Sequence, residues 1–450
     1  MPIAPARIAA FDILLRVEQT DAFSSELLHS TAYGKLTSAD HGLATELVMG
    51  VLRWRSLLDQ RLSTASSLTI DELDLEVLTA LRLAAYQLQF LQRVPPHAAV
   101  NDSVELVKRA RKRSAAAFVN AVLRKLGPTP DSDQSPTQMK TETAEELSSR
   151  LPHPRWLVDR WIREFSLETA QKICAYNQQL PQTAIRLGAN SMQAELQAEG
   201  INLATGRLLS GARRVVAGNI SKTRAFRSGK IAIQDEGSQL VALVVGKGKN
   251  ILDCCAAPGG KTRIMAARNP QSEVLALELH PQRAALLRKL APATNVRVAT
   301  ADARDFAVTK AFDRVLVDVP CSGTGTLARN PEIKWRLTPH DLSDLQARQL
   351  EILRSAMKQV APGGRLVYST CSLEREENSE VVEKALAEGS DFGVVNPREE
   401  LERLKAEGEL AWPDLDSMIS SSYVRTLPGV HPCDGFFAAV LEKCLRPQRT

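Results

Sequence analysis

The sequence predicts a multidomain protein with an all-α N-terminal domain, a small α+β middle segment and a C-terminal α/β domain built on a mostly parallel sheet. Apolar residues recur at helical spacing through residues 1–126, with little glycine and no strand-like alternation. From residue 234 onward, strand-like and helical runs alternate, which is typical of a parallel sheet with helices on both faces. The length of 450 residues also exceeds one ordinary hydrophobic core, so two or three domains are expected.

The composition is that of a soluble globular protein. Hydrophobic residues make up 44% of the chain and charged residues 24%. No apolar run approaches the roughly 20 residues that span a bilayer, and the N terminus lacks the basic start and apolar core of a signal peptide. We therefore expect a cytoplasmic protein without a membrane partner. We also expect a monomer. The net charge of +5 is modest and does not by itself indicate a nucleic-acid partner.

The seven cysteines do not form a recognisable disulfide or metal pattern. Cys254 and Cys255 are adjacent and the others are scattered, which fits neither a disulfide framework nor the paired ligands of a zinc site. We expect free thiols and no bound metal, so that cysteine chemistry remains available.

The N-terminal domain is predicted from three apolar helical faces. The first contains Ile8, Phe11 and Leu15. The other two contain Leu43, Leu47, Val51, Trp54 and Leu58, and Leu78, Leu81, Ala85 and Leu88. A capping-box pattern, Thr69 to Glu72, precedes the third face and predicts a helix start there.

A basic cluster near the end of this domain has two interpretations. Its members are Lys108, Arg109, Arg111, Lys112, Arg113, Arg124 and Lys125. Such a cluster can follow a phosphate backbone. It can equally be the solvated surface of a helix.

Residues 127–142 and 143–233 separate the two larger domains. The first stretch, GPTPDSDQSPTQMKTE, has almost nothing to bury and is predicted to be a linker. The second stretch begins with a helical pattern and then turns mixed, with strand-like runs at 184–187 and 213–217. We expect helices and a small α+β unit over 143–233, and the α/β domain over 234–450.

Six strands are predicted in the α/β domain. They are residues 250–252, 274–278, 296–300, 314–317, 365–369 and 436–441. Thr338-Pro339-His340-Asp341 is a good helix start, and Pro362-Gly363-Gly364 is expected to stop that helix before the next strand.

The loop after the first of these strands is expected to bind a cofactor at a helix N terminus. Its sequence is Asp253-Cys254-Cys255-Ala256-Ala257-Pro258-Gly259-Gly260-Lys261-Thr262. A P-loop requires Gly where Cys255 stands, and no G-x-G-x-x-G dinucleotide fingerprint follows the strand. The glycines still permit close approach of the backbone to a ligand.

Acidic residues after the successive strands narrow the ligand class. Glu278 ends the second strand, where a carboxylate usually binds ribose hydroxyls. A ribose-bearing cofactor without a pyrophosphate fits this pattern, and S-adenosyl-L-methionine meets that description, with Asp302 beside its adenine and Asp318 near its reactive end. Each acid taken alone has the alternative of capping a helix. Lys261 has three interpretations: neutralising Asp318 or Asp253, contacting RNA, or lying on the surface.

Two cysteine motifs each follow a strand-like run and are expected to meet at the same edge of the sheet. They are Asp318-Val319-Pro320-Cys321-Ser322 and Ser369-Thr370-Cys371-Ser372. Two thiols at one edge suit covalent catalysis, in which one thiolate adds to the substrate and activates it. The second group can then accept or relay a proton as the adduct is resolved. This chemistry does not choose which cysteine is the nucleophile, and two small buried hydrophobic residues are the alternative.

Several segments together resemble the RNA 5-methylcytosine methyltransferase family, and the match is closest to its bacterial Sun/Fmu type. The segments are Cys255–Lys261, Gln234-Asp235-x-x-Ser238-Gln239, Asp318–Gly325, Ser369–Ser372 and Asp434-Gly435-Phe436-Phe437. The N-terminal domain resembles the NusB family of RNA-binding proteins. That likeness rests on Arg7–Ala10, Glu46–Arg53, Val100–Val104 and Phe118–Arg124. Val319 departs from the usual Ala and adds bulk beside the site.

The resemblance implies roles for particular residues and a Rossmann-like, class I S-adenosylmethionine-dependent methyltransferase domain. It implies that Cys371 is the nucleophile, that Cys321 assists product release, and that Asp318 binds the amino edge and ring nitrogen 3 of cytosine. It also implies that the glycine loop holds the cofactor and that the NusB-like domain and the middle segment bind small-subunit ribosomal RNA.

Two other interpretations remain open. Lys334-Trp335-Arg336 follows the first cysteine motif, where Trp335 could stack on a base or lie in a core. The whole protein could instead be a non-catalytic RNA-binding or antitermination module that uses the methyltransferase fold as a scaffold, or its substrate could be another nucleic acid such as tRNA or DNA.

Overall fold

The computed structural model of the protein describes residues 3–127, 142–188, 191–307, 310–388 and 391–445. The predicted linker, residues 127–142, lies almost entirely outside the described residues. The chain divides into two compact units. The first combines Met1–Leu180 with Leu327–Arg336, and the second combines Pro181–Thr326 with Leu337–Thr450.

The described residues form the following α-helices. They are α1 Pro5–Gln19, α2 Ser24–Leu28, α3 Ser38–Ala65, α4 Leu75–Phe90, α5 Pro96–Arg109, α6 Ala116–Leu126, α7 Ala144–Arg150, α8 Arg155–Phe165, α9 Leu167–Asn177, α10 Ser191–Ala198, α11 Arg224–Arg227, α12 Glu236–Val244, α13 Gly260–Arg268, α14 Pro281–Leu290, α15 Ile333–Arg336, α16 Pro339–Lys358, α17 Ser379–Ala387 and α18 Pro397–Ala406. None of these described helices combines the length and apolar character needed to cross a bilayer.

The strands of the described residues all belong to the second unit. They are β1 Ala184–Arg186, β2 Asn202–Thr205, β3 Ala212–Ala217, β4 Asn250–Asp253, β5 Glu273–Glu278, β6 Val296–Thr300, β7 Phe312–Asp318, β8 Val360–Thr370, β9 Phe392–Val394, β10 Ile419–Ser420, β11 Tyr423–Thr426 and β12 Phe436–Lys443. All six strands predicted for the α/β domain are present, and five of them extend beyond their predicted bounds.

Two of the three predicted helix boundaries differ from the structure. The start of α16 is as predicted, with Thr338 and Asp341 in a capping box. The Thr69–Glu72 capping box also forms, but it begins a single 3-10 turn rather than α4. The predicted stop at Pro362–Gly364 lies within β8, because pairing with β7 already begins at Val360.

The first unit has one large hydrophobic core, to which α1, α3, α4, α5 and α6 contribute. Leu47, Leu58 and Leu81 of the predicted apolar faces are fully buried in it. Gly50 allows α3 and α4 to approach closely, because a Cβ atom there would lie 2.0 Å from the ring of Tyr86. The helices of residues 143–180, grouped above with the mixed segment, belong to this first unit.

The basic cluster of the first unit is partly neutralised. Lys108 pairs with Glu105 at 2.7 Å, and Lys112 pairs with Asp74 at 2.9 Å. Arg109 forms a two-pronged pair with Asp12. The exposed side chains of Arg111, Arg113, Arg124 and Lys125 make no ion pair with any residue that the structure describes. The part of the cluster available to a polyanion is therefore smaller than the sequence indicates.

The segment Leu327–Arg336 is held inside the first unit by polar contacts with main-chain atoms. Lys334 is 1% exposed, and its Nζ donates to the carbonyl of Arg53 at 3.0 Å and to that of Pro152. The Trp335 indole N–H donates to the carbonyl of Leu52 at 2.6 Å. Arg336 donates to two further carbonyls of this unit. These contacts engage the polar atoms of α15, while the ring of Trp335 is only partly buried. Base stacking by Trp335 stays a prediction.

The second unit contains a nine-stranded mixed sheet. Its order is β10-β11-β12-β8-β7-β4-β5-β6, with β9 paired to β12. The strands β4, β5, β6, β7 and β8 are parallel, whereas β9 to β12 add antiparallel pairs at one side. The prediction of a mostly parallel sheet is thus correct for β4 to β8, the strands that alternate with helices along the chain. The antiparallel side comes from a C-terminal region in which only β12 was predicted.

Alternate residues of the central strands face two hydrophobic clusters. Ile251 and Leu316 pack in one cluster with residues of α12, α13 and α18. Leu252 and Val315 pack in the other with residues of α16 and α17. Burial on both faces explains why the central strands are almost continuously apolar.

A second, three-stranded sheet lies in the middle segment, with the order β1-β3-β2 and antiparallel pairs throughout. It packs with α10 and α11 around a small core that includes Ile185, Leu196 and Ile220. The predicted α+β character of this segment is confirmed. The strand β2 has half-exposed residues and no clear alternation, and it was missed.

Candidate functional site

The candidate site lies at the carboxyl edge of the parallel strands, where the strand order reverses. The chain runs from β4 outward to β5 and β6 and then returns to β7 on the other side of β4. Such a reversal opens a crevice between the loops that follow the two central strands. The loop after β4 and Asp318 at the end of β7 therefore meet at this point.

The glycine loop connects β4 to α13 through a tight turn. Gly259 has a φ of 110°, a conformation that favours glycine, and a Cβ atom there would lie 2.7 Å from the side chain of Leu287. The N–H of Ala256 donates to the carbonyl of Leu277 in β5 at 2.9 Å. These contacts place the loop against the ends of two adjacent strands, and it leads into the N terminus of α13, where the sequence predicted a helix start.

Asp253 lies under this loop and is 1% exposed. Its Oδ2 accepts a hydrogen bond from the Thr262 hydroxyl at 2.7 Å, while its Oδ1 has no hydrogen-bond partner among the described residues. Burial, aided by the nearby charge of Asp318, raises the pKa of Asp253 to about 7. A buried carboxylate with an unpaired oxygen is suited to a cationic ligand.

Glu278 and Asp302 both lie after their strands but make protein contacts. Glu278 is 5% exposed and accepts a hydrogen bond from the N–H of His280, at the start of α14. Asp302 forms a two-pronged pair with Arg304, and this hydrogen bonding lowers the pKa of the Asp302 carboxyl. Glu278 therefore makes a contact at a helix N terminus, which was the alternative to ribose binding. Ribose and adenine binding stay predictions.

Asp318 is held between a cation and a hydroxyl. Lys261 Nζ lies 2.6 Å from its Oδ2, and Ser369 Oγ donates to its Oδ1 at 2.7 Å. Burial acts against the Lys261 ammonium, but the charge and hydrogen bonding of Asp318 outweigh it and raise the pKa of Lys261. The same ammonium lies 5.3 Å from the ring centroid of Phe436, in one of the motifs singled out above. Of the three interpretations of Lys261, neutralising Asp318 is the one that the geometry supports.

The sulfur atoms of Cys321 and Cys371 lie 3.4 Å apart, and both side chains are partly accessible. They converge because β7 and β8 pair in parallel, with Asp318 opposite Ser369, so that both loops leave the sheet at the same level. The N–H of Gly325 also donates to the carbonyl of Cys371 at 2.9 Å. The hydrogen bond with Cys371, followed by burial, raises the pKa of the Cys321 thiol.

The other described cysteines are placed differently. Cys174, Cys254 and Cys433 are buried, and burial raises the pKa of each thiol. Cys444 is exposed. The described residues contain no group of three or more His, Cys, Asp or Glu side chains arranged to hold a metal ion.

Sequence reasoning missed Glu377, which lies beneath both cysteine loops. The residue is fully buried, and its carboxylate accepts hydrogen bonds from Ser322 and Ser372, each adjacent to one of the two cysteines. Its position six residues after Cys371, inside a charged run, offered no periodic or motif-based signal. The only available signal was its closeness in sequence to the second cysteine motif.

The thiol of Cys255 lies close enough to three carboxylates to be affected by their charges. Burial raises the pKa of this thiol first, and the charges of Asp253, Asp318 and Glu278 raise it further. Burial disfavours any charge at this position, but the three carboxylates favour a cation over an anion. The described donors and acceptors therefore fit a sulfonium-bearing ligand such as S-adenosylmethionine.

Three segments of the chain match known families. Residues 240–442 match the family described as 16S rRNA methyltransferase RsmB/F, and residues 4–127 match the NusB family. Residues 153–214 match the ferredoxin-like domain of RsmF/B-like methyltransferases.

Full-length relatives are also found. The chain is 34% identical over 458 residues to the probable ribosomal RNA small subunit methyltransferase B of Bacillus subtilis, covering 97% of this chain and 98% of that protein. It is 31% identical to a putative methyltransferase of Mycobacterium tuberculosis, covering 98% and 97%. It is also 31% identical to the ribosomal RNA small subunit methyltransferase B of Klebsiella pneumoniae, covering 91% of each.

Two crystal structures share the fold. The structure of PH0851 has a TM-score of 0.79 at 22% identity and covers 98% of this chain and 100% of that one. A methyltransferase homolog protein from Pyrococcus horikoshii has a TM-score of 0.55 at 24% identity and covers 67% of this chain and 99% of that one. The family models and the sequence relatives show that the chain belongs to the family of ribosomal RNA small subunit methyltransferase B. It has a NusB-type helical domain, a small ferredoxin-like domain and a Rossmann-like methyltransferase domain.

Proposed function

We propose that the protein methylates carbon 5 of a specific cytosine in small-subunit ribosomal RNA, with S-adenosyl-L-methionine as the methyl donor. The observation that carries this proposal is the pair of thiols of Cys321 and Cys371, 3.4 Å apart, beside the charged pair of Lys261 and Asp318. A non-catalytic scaffold has no need for two adjacent, accessible thiols. The choice of ribosomal RNA rests on the names of the relatives.

The cofactor would be held by the glycine loop, Cys255 to Lys261, with Glu278 at the ribose and Asp302 near the adenine. When bound, it supplies an electrophilic methyl group. The chain's contribution is a group of carboxylates beside the loop. That of Asp318 is paired with Lys261, so Asp253 and Glu278 are the ones expected to favour a positively charged donor over a neutral one.

Cys371 would act as the nucleophile. Its thiolate forms a bond to carbon 6 of cytosine, and the electron pair of the 5,6 double bond becomes available at carbon 5. Asp318 would accept a hydrogen bond from the amino group and support protonation at ring nitrogen 3. Lys261 holds that carboxylate in place.

Cys321 would then release the product. Once the Cys371 sulfur is bonded to carbon 6, it no longer carries the charge and hydrogen bond that raise the pKa of Cys321. The Cys321 thiol would then lose its proton to water more readily, against the remaining effects of burial and Glu377. The resulting thiolate would accept the proton of carbon 5, whose electron pair re-forms the double bond as the Cys371 thiolate leaves. Overall, the reaction releases one proton to solvent.

The remaining domains would bind and present the RNA. We assign this role to the NusB-like domain, over 1–126, and to the ferredoxin-like middle segment. Bases that lie in a helix must be unstacked before they reach such a site, and these domains would hold the RNA while this happens.

A transfer assay tests the proposed function. Purified protein is incubated with naked small-subunit ribosomal RNA, small subunits, or tRNA, together with S-adenosylmethionine, and the products are sequenced after bisulfite treatment. One newly protected cytosine in small-subunit RNA or small subunits is the expected result. No methylation of any of these, together with tight RNA binding, would support a non-catalytic RNA-binding protein, and methylation confined to tRNA would reassign the substrate.

A further inference from the structure

A single buried carboxylate links the two loops that carry the thiols. Glu377 Oε1 accepts a hydrogen bond from the Ser322 N–H at 2.7 Å and one from Gln349 Nε2 at 2.9 Å. Its Oε2 accepts from the hydroxyls of Ser322 and Ser372. Ser322 follows Cys321 directly and Ser372 follows Cys371 directly, so one side chain is bonded next to both thiols.

The carboxylate has no cationic partner to explain its burial. Glu377 is 0% exposed, and no ion pair to it is found among the described residues. Burial of a carboxylate without a counter-ion is costly and persists only where hydrogen-bond donors replace water. Here the four hydrogen bonds just described do so, and the two thiol loops provide three of them.

The neighbouring residue supports the same arrangement from one side. Asn378 accepts a hydrogen bond from the Thr370 hydroxyl at 2.5 Å and donates to the Ser372 carbonyl at 2.9 Å. These contacts lie on either side of Cys371. The Tyr368 hydroxyl donates to the carbonyl of Glu377 at 2.6 Å. The short segment that carries Glu377 is therefore itself fixed to β8.

We propose that Glu377 is a positioning residue that sets the separation of the Cys321 and Cys371 sulfur atoms by bonding the two loops together. The proposal rests on the proposed function, because the separation matters only if one thiol attacks carbon 6 while the other reaches the proton on carbon 5. These are adjacent ring atoms, so the two sulfur atoms must stay close and in a fixed order.

The charge of the carboxylate adds a second effect. After the hydrogen bond with Cys371, burial and the charge of Cys371, the charge of Glu377 also raises the pKa of the Cys321 thiol. A neutral side chain at position 377 would therefore ease deprotonation of Cys321. The loop-bonding role and the charge can be separated by replacing Glu with Gln, since an amide can accept from the N–H groups through its oxygen and donate to a serine hydroxyl through its nitrogen.

The test compares Glu377→Ala and Glu377→Gln with the wild type, and with Glu383→Gln as a matched control that removes an exposed charge from α17. The first measurement needs neither RNA nor cofactor. Diamide oxidises two adjacent thiols to a disulfide and is itself reduced to the hydrazine, and peptide mapping by mass spectrometry follows the Cys321–Cys371 link. Methyl transfer, KM for RNA and cofactor affinity by calorimetry are measured in parallel.

We expect Glu377→Ala to slow formation of the link at least tenfold and to lower kcat by about 100-fold, the scale of a misplacement of about 1 Å, with cofactor affinity unchanged. Glu377→Gln should form the link at nearly the wild-type rate, and its pH–rate profile should move to lower pH. Glu383→Gln should match the wild type.

Two results overturn the proposal. One is an alanine variant that keeps both the rate of disulfide formation and kcat within about twofold of the wild type. The other is a Gln variant that forms the link about tenfold more slowly than the wild type or as slowly as the alanine variant; the comparison with the wild type remains available where the alanine variant does not fold. A wild-type protein that forms the link readily but transfers no methyl group would refute the proposed function and leave the loop-bonding result to be judged on the link alone.

Discussion

Cys321 and Cys371 are 50 positions apart in the sequence, yet their sulfur atoms lie 3.4 Å apart. The pairing of β7 with β8 brings the two loops to one edge, and Gly325 and Glu377 then hold them together. The distance is short enough for one thiol to hydrogen-bond the other and for both to contact one pyrimidine ring. The chemistry proposed for the site depends on this closeness.

Gly325 is expected to be essential for the approach of the loops. A Cβ atom there would lie 2.4 Å from the carbonyl oxygen of Gly435 and 2.8 Å from that of Cys371, both of them backbone atoms. Gly325→Ala must therefore move the loops apart and should lower kcat by about 10- to 100-fold. Gly393→Ala is the matched control, because nothing lies within 4 Å of its added Cβ atom. Equal steady-state rates for the two variants would show that the close approach is unimportant.

The buried Asp253 is expected to make stability depend on pH. Its pKa of about 7 in the folded protein is higher than the value of about 3.9 in an unfolded chain, so the folded state holds the proton more strongly. The resulting stabilisation is present below pH 4, is lost as the pH rises from about 4 to about 7, and is absent above that.

Between pH 5 and pH 8, the free energy of unfolding of Asp253→Asn should therefore fall by about 1 to 4 kcal/mol less than that of the wild type. Melting temperatures of the variant, the wild type and the surface variant Asp344→Asn are compared across this range without cofactor. A wild-type melting temperature that changes no more than that of Asp253→Asn would contradict the high pKa assigned to this residue.

Glu332 is expected to stabilise the start of α2 within the first unit. It is 1% exposed, and it accepts hydrogen bonds from the Ser24 N–H at 2.7 Å and the Ser24 hydroxyl at 3.0 Å. Glu332→Ala leaves the Ser24 N–H unpaired in a buried position and leaves the hydroxyl with only the weak acceptor Met49 Sδ at 3.5 Å, which costs about 1–3 kcal/mol. Hydrogen exchange of the α2 amides should accelerate relative to the wild type, while exposed Glu26→Ala should change little. Unchanged protection in Glu332→Ala would refute this role.

Much of the fold was predictable because the relevant signals are local. The alternation of apolar and helical runs located β4 to β8, and the loop after β4 was correctly placed at the start of α13. The short strands β2, β9, β10 and β11 were missed because they carry few residues and no alternation. The burial of Lys334 has no local signal in the sequence, and only the tertiary fold shows that its ammonium donates to main-chain carbonyls.

The reacting residues of the candidate site were predictable from the sequence, but the hydrogen bonds that hold their loops together were not. Asp318, Cys321 and Cys371 each follow a strand, so their convergence follows from the rule that parallel strands end at one edge. Glu377 lies in a short turn and accepts hydrogen bonds from the two loops at that edge. No periodicity links its position to Ser322, 55 residues earlier. Contacts of this kind depend on the packing of the loops and are invisible in the sequence pattern.

The most direct test of the proposed chemistry is the trapping of a covalent protein–RNA adduct. Cys321→Ala and Cys371→Ala are each incubated with small-subunit RNA and S-adenosylmethionine, and the mixtures are resolved under denaturing conditions. Cys321→Ala should accumulate an adduct joined through Cys371, because the carbon 5 proton is no longer removed, whereas Cys371→Ala should form none. An adduct in Cys371→Ala and its absence in Cys321→Ala would contradict the assignment of the nucleophile.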